Sequence, residues 1–201
     1  MGDKQVFQPL TREDKITVVL YRVGIVASTA IMGGLAFLLK TASSSSSATL
    51  ISPPADILVY GLYASVGMSV FFIHLYVGKI KVFLKNLYFI SLGCLVLLLF
   101  IGKGSLSGAL AHGPYGPLLL LPLSGCLGLV TAKEAFCFQL FEGYLLAMLM
   151  PIYLLLVSSS VLTYAGAANG LVLIAVMLVI FTLRKVFMPI AYDIGDKSAY
   201  Q

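Results

Sequence analysis

Charged side chains interrupt a long apolar sequence in the segment 131–143, TAKEAFCFQLFEG. Lys133 and Glu134 are adjacent there, and helical spacing places Glu134, Phe138 and Glu142 on one face. The polar positions spread too widely around a helical wheel for a clean amphipathic helix, so we expect an interfacial elbow whose charges reach water. The alternative is a membrane span that continues through the segment and carries Lys133 and Glu134 at its rim.

The same segment is the candidate for a binding function. Ionisable residues at membrane depth are costly, and they are functional candidates for that reason. We predict that the segment docks a partner or contacts a ligand. The side chains assigned to this contact are Lys133, Glu134, Phe136, Phe138 and Glu142.

Arg22 lies one to two turns inside the first apolar run. A charge at the centre of a membrane helix costs about 2.5–3.5 kcal/mol on insertion scales, so we expect this shallow arginine to extend towards the nearer interface. The alternative is an internal partner. Glu134 and Glu142 are the acidic residues that later spans place near the same side, and an Arg22–Glu134 pair would serve packing or an ion path.

His74 lies near the end of the second apolar run, and a neutral imidazole can ligate haem iron or chlorophyll magnesium. The second histidine, His112, falls in a loop on the opposite side, which excludes paired haem ligation. His74 is therefore a candidate chlorophyll ligand, and a hydrogen-bonded interfacial histidine is the alternative. We expect no cofactor, with chlorophyll at His74 as the alternative.

The sequence offers no constellation for catalysis. It has no HExxH motif, no histidine boxes and no paired membrane aspartates, and the three cysteines form no CxxC pair for zinc. Catalysis needs a nucleophile or an acid–base group with an orienting partner. We therefore expect a protein that is not an enzyme, with no catalytic residues and no metal ligands.

Composition indicates the medium in which these residues lie. The chain has 201 residues, of which 60% are hydrophobic and 10% charged. Soluble domains average about 45–50% apolar and about 25% charged residues. The net charge of +5 lies beside apolar runs, which is typical of loops at an anionic lipid surface, so we expect lipids and not nucleic acid as partners.

The apolar runs predict an all-α, polytopic transmembrane bundle of about six spans. We expect one membrane domain, 1–201, with a polar segment at 1–15, the bundle at 16–189 and a polar tail at 190–201. The stretches 41–54 and 102–117, rich in Ser, Gly and Pro, should be loops without regular helix. The predicted spans are 16–39, 57–77, 87–101 with an extension from 82, 115–131 with Pro122 inside it, 144–162 and 167–183.

Six spans separate the basic residues cleanly. Lys40 and Lys103 lie on one side, and every other lysine and arginine lies on the opposite side. The positive-inside rule therefore places both termini on the cytoplasmic or stromal side.

One string carries a family resemblance. KEAFCF at 133–138, preceded by SGCLGL at 124–129, resembles the uncharacterised integral membrane proteins of cyanobacteria and plastids, a family defined as a domain of unknown function. The resemblance implies a photosynthetic membrane, the thylakoid, and an accessory or assembly role for a photosystem.

The preferred hypothesis is a non-enzymatic membrane protein that binds a larger membrane complex, with a photosystem as the partner that the resemblance implies. One alternative is a small carrier or channel for an uncharged solute, suggested by Pro122 and the Gly-rich stretch 102–117. The other is a pigment-binding membrane subunit that uses His74.

Overall fold

A computed structural model describes residues 10–44, 52–75, 77–111 and 115–194. Every regular element in these ranges is an α-helix, and six of the helices are long and apolar enough to cross a membrane. The predicted all-α bundle with six spans is confirmed. The helices are α1 (Arg12–Ser44), α2 (Ser52–Phe72), α3 (Gly78–Ile101), α4 (Leu106–Ala111), α5 (Tyr115–Leu119), α6 (Leu121–Phe138), α7 (Phe141–Ser158), α8 (Tyr164–Val186) and α9 (Ala191–Ile194).

Local sequence signals set the beginnings of several helices. Thr11 and Asp14 form a reciprocal cap at α1, in which each side chain accepts a hydrogen bond from the other residue's backbone N–H, at 3.2 and 2.9 Å. The hydroxyl of Thr163 accepts from the N–H of Gly166 at the start of α8. Prolines 53 and 54 lie in the first turn of α2, where backbone N–H groups make no hydrogen bond within the helix, so the lack of an N–H costs nothing there.

The fourth span differs from the prediction. The stretch 115–131 is not one helix with Pro122 inside it, because α5 ends at Leu119 and α6 begins at Leu121. Pro122 therefore occupies the first turn of α6, where a proline is tolerated. The helix then continues to Phe138 and the chain turns before α7 begins at Phe141. The segment 131–143 is therefore the end of one span, a turn and the start of the next, and Glu134 is buried in the bundle instead of reaching water.

The two predicted loops are also partly helical. The stretch 102–117 contains α4, with Gly108 inside it, and the start of α5, whose first turn holds Gly116 and Pro117. In the stretch 41–54, α1 continues to Ser44 and α2 begins at Ser52. Residues 45–51 and His112 lie outside the described ranges, as do residues 1–9 and 195–201 of the predicted polar ends.

Five spans form a closed ring. Going round it, α1 packs on α2, α2 on α6, α6 on α7, α7 on α8, and α8 returns to α1. Helix α3 lies outside the ring against α2 and α6, and α4 and α5 pack against it at one end. At the other end, where α1 begins and α8 ends, α9 contacts α1. We call this second end the basic end, because the described lysines and arginines other than Lys40 and Lys103 belong to it.

The ring buries hydroxyl groups around α1. Ser28 lies 2.8 Å from Ser65 of α2, and Thr29 lies 2.6 Å from Thr182 of α8, oxygen to oxygen. Gly24 lets the backbones of α1 and α2 approach, since a Cβ there would lie 2.8 Å from both the carbonyl oxygen of Ser65 and the backbone nitrogen of Ser69. Small residues and hydroxyls are typical of such close contacts between membrane helices.

We predict that Gly24→Ala lowers the melting temperature of the detergent-solubilised protein, because the added methyl group meets backbone atoms that cannot turn aside. Overpacking of this kind costs about 1–3 kcal/mol. Gly33→Ala is the matched control on the same helix, since a Cβ there has nothing within 4 Å. Equal melting temperatures for the two variants would contradict the close contact between α1 and α2.

Candidate functional site

Five charged side chains meet at the basic end of the ring. In order of contact they are Arg22, Asp193, Lys185, Glu134 and Lys133, from helices α1, α9, α8 and α6, and we call them the charge chain. Lys185 and Glu134 are 0% exposed, Asp193 1%, Lys133 10% and Arg22 12%. Positive and negative groups alternate along the chain, which is the arrangement that burial of charge requires.

Glu134 joins three helices through its carboxylate. The hydroxyl of Tyr21 on α1 donates to its Oε1 at 2.6 Å, and the ammonium of Lys133 donates to the same oxygen at 2.7 Å. The ammonium of Lys185 on α8 contacts Oε2. Oε1 thus accepts two hydrogen bonds, and Oε2 is ion-paired with Lys185.

Lys185 bridges the two acids of the chain. Its ammonium contacts Glu134 on one side and Oδ1 of Asp193 on the other. The ring of Phe138 lies beneath it, with 4.1 Å between Nζ and the ring centroid, within the range of a cation–π contact. This lysine therefore links α6, α8 and α9 at one atom.

Arg22 ties α1 to the end of α8. Its Nη1 donates to the carbonyl oxygens of Val186 at 3.1 Å and Met188 at 2.7 Å, and its Nη2 donates to that of Pro189 at 3.2 Å. Its Nε donates to Oδ2 of Asp193 at 2.7 Å, and Nη2 lies 2.5 Å from the same oxygen. The last carbonyl groups of a helix lack hydrogen-bond partners and carry a partial negative charge. The guanidinium of Arg22 donates hydrogen bonds to carbonyls at this end, and its positive charge is attracted to them.

The charge chain contains three cations and two anions. Paired charges within a low-dielectric bundle offset much of their desolvation cost, whereas an excess charge does not. The site is therefore electropositive, and Lys133, which shares the carboxylate of Glu134 with Lys185, lies at its end. Such a site attracts negatively charged groups.

The structure separates the residues that the sequence assigns to partner docking. Lys133 and Glu134 are inside the bundle, and Phe138 packs beneath Lys185. Phe136 faces outward with 79% of its surface exposed. Glu142, at the start of α7, accepts hydrogen bonds from Nη1 of Arg184 at 2.6 and 2.8 Å.

Arg22 takes the internal partner that we gave as the alternative to an interfacial position, but the partner is Asp193 and not Glu134. The sequence does not indicate this partner, because Asp193 lies 171 positions from Arg22 along the chain. Asp193 belongs to the stretch 190–201, whose composition predicts a polar tail, and α9 folds this aspartate back against the bundle until its residue is 4% exposed. One sequence feature could have indicated this fold-back: Asp193 follows the basic pair Arg184 and Lys185 by about two helical turns.

Sequence reasoning also overlooks Lys185 and Tyr21. Lys185 closes the last span and so resembles an ordinary interfacial lysine. Tyr21 resembles an interfacial aromatic residue, yet it is 1% exposed and faces Glu134. Nothing local in the sequence distinguishes these inward-facing side chains from outward-facing neighbours such as Arg184.

His74 follows α2 and is partly buried. Its Nε2 lies 3.3 Å from Oγ1 of Thr17, and its Nδ1 is buried with no hydrogen-bond partner among the described residues. Burial, together with the positive charges of Lys133 and Lys81, lowers the pKa of His74 below 6.5, so the ring is neutral at pH 7.

This geometry does not fit a chlorophyll ligand. A histidine that binds a metal presents one open ring nitrogen and gives the other to a hydrogen-bond partner. Here Thr17 engages Nε2, while protein encloses Nδ1 and leaves no approach for the face of a macrocycle. The geometry agrees with the alternative of a hydrogen-bonded histidine at the interface.

Comparison with known proteins gives one family. The family model described as an uncharacterized integral membrane protein (DUF2301) matches residues 68–201. No curated protein and no solved structure matches the chain. The matched segment includes Lys133, Glu134, Lys185 and Asp193 of the charge chain, whereas Arg22 precedes it.

We predict that Lys185→Met destabilises the protein by about 1–3 kcal/mol, because Oε2 of Glu134 and Oδ1 of Asp193 lose their buried cationic partner while Lys133 and Arg22 keep theirs. Arg184→Met is the matched control. The side chain of Arg184 is 53% exposed and pairs with Glu142, and surface ion pairs contribute about 0–1 kcal/mol to stability. Thermal unfolding in detergent measures both variants, and a larger loss for Arg184→Met would contradict the assigned roles.

Proposed function

The chain belongs to the family of uncharacterized integral membrane proteins DUF2301, and from this premise we propose that it is a non-enzymatic accessory or assembly subunit of a larger membrane complex. It is a multi-pass integral membrane protein, and its six spans form the bundle described above. The partner is held by an outward-facing surface at the basic end. We define the turn surface as Phe136, Phe141 and Glu142, the residues that flank the turn between α6 and α7.

The observation that carries this proposal is the exposure of two aromatic rings on a fixed turn. Phe136 is 79% exposed and Phe141 is 68% exposed. Aromatic side chains offer large contact areas and lose little conformational entropy on binding, so they dominate the energetics of many interfaces. The third residue, Glu142, is largely buried under Arg184, and this ion pair borders the surface.

The backbone between the two rings is held in place. Gln139 adopts a left-handed conformation with φ 55°, which ends α6 sharply. Leu140 is fully buried, and the N–H of Gly143 donates to its carbonyl oxygen at 2.8 Å. Glu142 is fixed by Arg184, and Lys133 and Glu134 of the charge chain belong to the last part of α6, before the turn. A surface fixed in this way needs little ordering when a partner binds.

The resemblance of KEAFCF to proteins of cyanobacteria and plastids supports a photosystem in the thylakoid membrane as the complex. The basic residues support a cytoplasmic or stromal position for the turn surface, by the positive-inside rule. A partner on that side would meet the two phenylalanines at the level of the lipid headgroups. Membrane lipids are the other expected contact of the outward-facing apolar residues.

We predict that the double variant Phe136→Ala, Phe141→Ala loses its partner during affinity purification from cross-linked native membranes, with mass spectrometry as the readout. Phe100→Ala is the matched control, because Phe100 is 77% exposed on α3 at the opposite end. Wild type and control should recover the same set of membrane subunits, including those of a photosystem. Purification of the wild-type protein without any partner, or an unchanged set of partners in the double variant, would contradict the proposal.

A carrier for an uncharged, hydrogen-bonding solute is the second candidate. Its supporting observation is a track of buried polar groups along the contact of α1 with α2, in which the hydroxyls of Ser28 and Ser65 pair and Ser69 donates to the backbone carbonyls of Ser65 and Tyr21. Polar groups that face the interior of a membrane bundle often belong to solute pathways.

Under this second hypothesis, we predict that proteoliposomes take up glycerol faster than liposomes without protein, and that Ser65→Val removes the difference because it replaces a hydroxyl in the middle of the track. Light scattering after an osmotic step measures the rate, and a Phe100→Ala preparation serves as the control. Equal rates with and without protein would exclude glycerol transport.

A further inference from the structure

One edge of the Arg22 guanidinium, formed by Nε and Nη2, faces a carboxylate oxygen. Three of its hydrogen bonds go to the backbone carbonyls of residues 186, 188 and 189, which fix the plane of the group. Its Nε and Nη2 both point at Oδ2 of Asp193. Adjacent Nε–H and Nη–H donors form the fork that recognises carboxylates and phosphates. Because the carbonyls hold the fork, its orientation does not depend on Asp193.

Lys185 completes the site from the opposite side. Its ammonium contacts Oδ1 of Asp193, so the carboxylate lies between one cation from α1 and one from α8. Glu134 and the ring of Phe138 hold the lysine in position from below. Both cations are thus held by contacts other than those with Asp193.

The carboxylate itself arrives on a short element. Asp193 belongs to α9, four residues long, which follows Pro189 and lies beyond the last span. Its backbone N–H bonds within the same turn, to the carbonyl of Ile190 at 3.1 Å. Withdrawal of this turn from the bundle leaves all six spanning helices intact. Asp193 therefore occupies the site in the manner of a tethered ligand.

Charge balance favours a filled site. With Asp193 in place the charge chain has three cations and two anions, and without it three cations face Glu134 alone. Excess positive charge in a buried site is unfavourable, so departure of Asp193 favours entry of another anion.

A groove on the outside of the bundle leads to Arg22. It has a volume of about 380 Å³, runs along α1 past Val23 and Ala27, and ends at Arg22 and Ile190. Its walls are otherwise apolar, so the groove brings the lipid side of the bundle to Arg22, while Lys185 and Asp193 lie behind it. A free anion and a lipid headgroup share the chemistry that the fork recognises.

We propose that Arg22 and Lys185 form a binding site for an oxyanion, a carboxylate or phosphate group, and that Asp193 occupies this site in the present structure as an intramolecular competitor. An external oxyanion displaces Asp193 and releases α9 from the bundle. This site is separate from the turn surface, and its existence does not depend on the proposed partner complex.

Chemical rescue tests the site. Asp193→Ala should lower the melting temperature in detergent, and acetate or inorganic phosphate should recover about half or more of that loss, as expected when a ligand binds only the folded state. Chloride at equal ionic strength corrects for general salt effects. Glu142→Ala is the matched control, since it removes an acid from the ion pair with Arg184, and it should show no rescue.

A second variant keeps the test decisive if the alanine variant does not fold. Asp193→Asn preserves the shape of the side chain and removes its charge, and the same anions should stabilise it. Adding Arg22→Gln to Asp193→Asn should abolish the stabilisation. Rescue that survives Arg22→Gln, or stabilisation of the wild type and Asp193→Asn by equal amounts, would overturn the proposal.

Lipid composition distinguishes the two sources of the oxyanion. Asp193→Asn is reconstituted in nanodiscs of phosphatidylcholine alone or with phosphatidylglycerol. Stabilisation by acetate and phosphate in detergent supports a site for free anions. Stabilisation by phosphatidylglycerol but not by small anions supports a headgroup site, provided that Arg22→Gln removes it. Stabilisation by neither source would refute the site.

Discussion

The basic end depends on the contact of Lys185 with two buried carboxylates. This ammonium lies between Glu134 and Asp193 and is itself fully buried, so it needs an anionic group on each side. A buried charge without a partner is far more costly than a buried pair, and removal of one member penalises the members left behind. The positions of α6, α8 and α9 are coupled for this reason, and Arg22 and Tyr21 extend the coupling to α1.

The bilayer imposes the other constraint. Water cannot satisfy backbone groups in hydrocarbon, so the spans are helical, and large apolar side chains such as Phe37 can face outward. Apolar burial does little to hold membrane helices together, since lipid tails are as apolar as leucine. Close backbone contact at Gly24, hydroxyl pairs such as Ser28 and Ser65, and the charge chain therefore carry much of the specificity of the ring.

The proposed oxyanion site and the turn surface lie at different depths of the basic end. Inside, cations of α1 and α8 enclose a carboxylate that a four-residue helix supplies. Outside, two phenylalanines project from a turn whose backbone is fixed by Leu140 and Glu142. The charge chain supports both, because it holds α6 and α8 in register behind the turn. Displacement of α9 by an oxyanion would thus alter the region next to the turn surface.

The number of spans, their helical form and the concentration of basic residues at one end all follow from the sequence, because each depends on local composition and on the medium. Helix starts at Thr11 and Thr163 are likewise local, since a cap needs only neighbouring residues. The inward position of Lys185 and the pairing of Arg22 with Asp193 depend on tertiary structure. These residues lie up to 171 positions apart, and no local pattern records which distant helix each will face. Pairing is decided only when the ring closes, because burial then forces each charge towards the nearest opposite one.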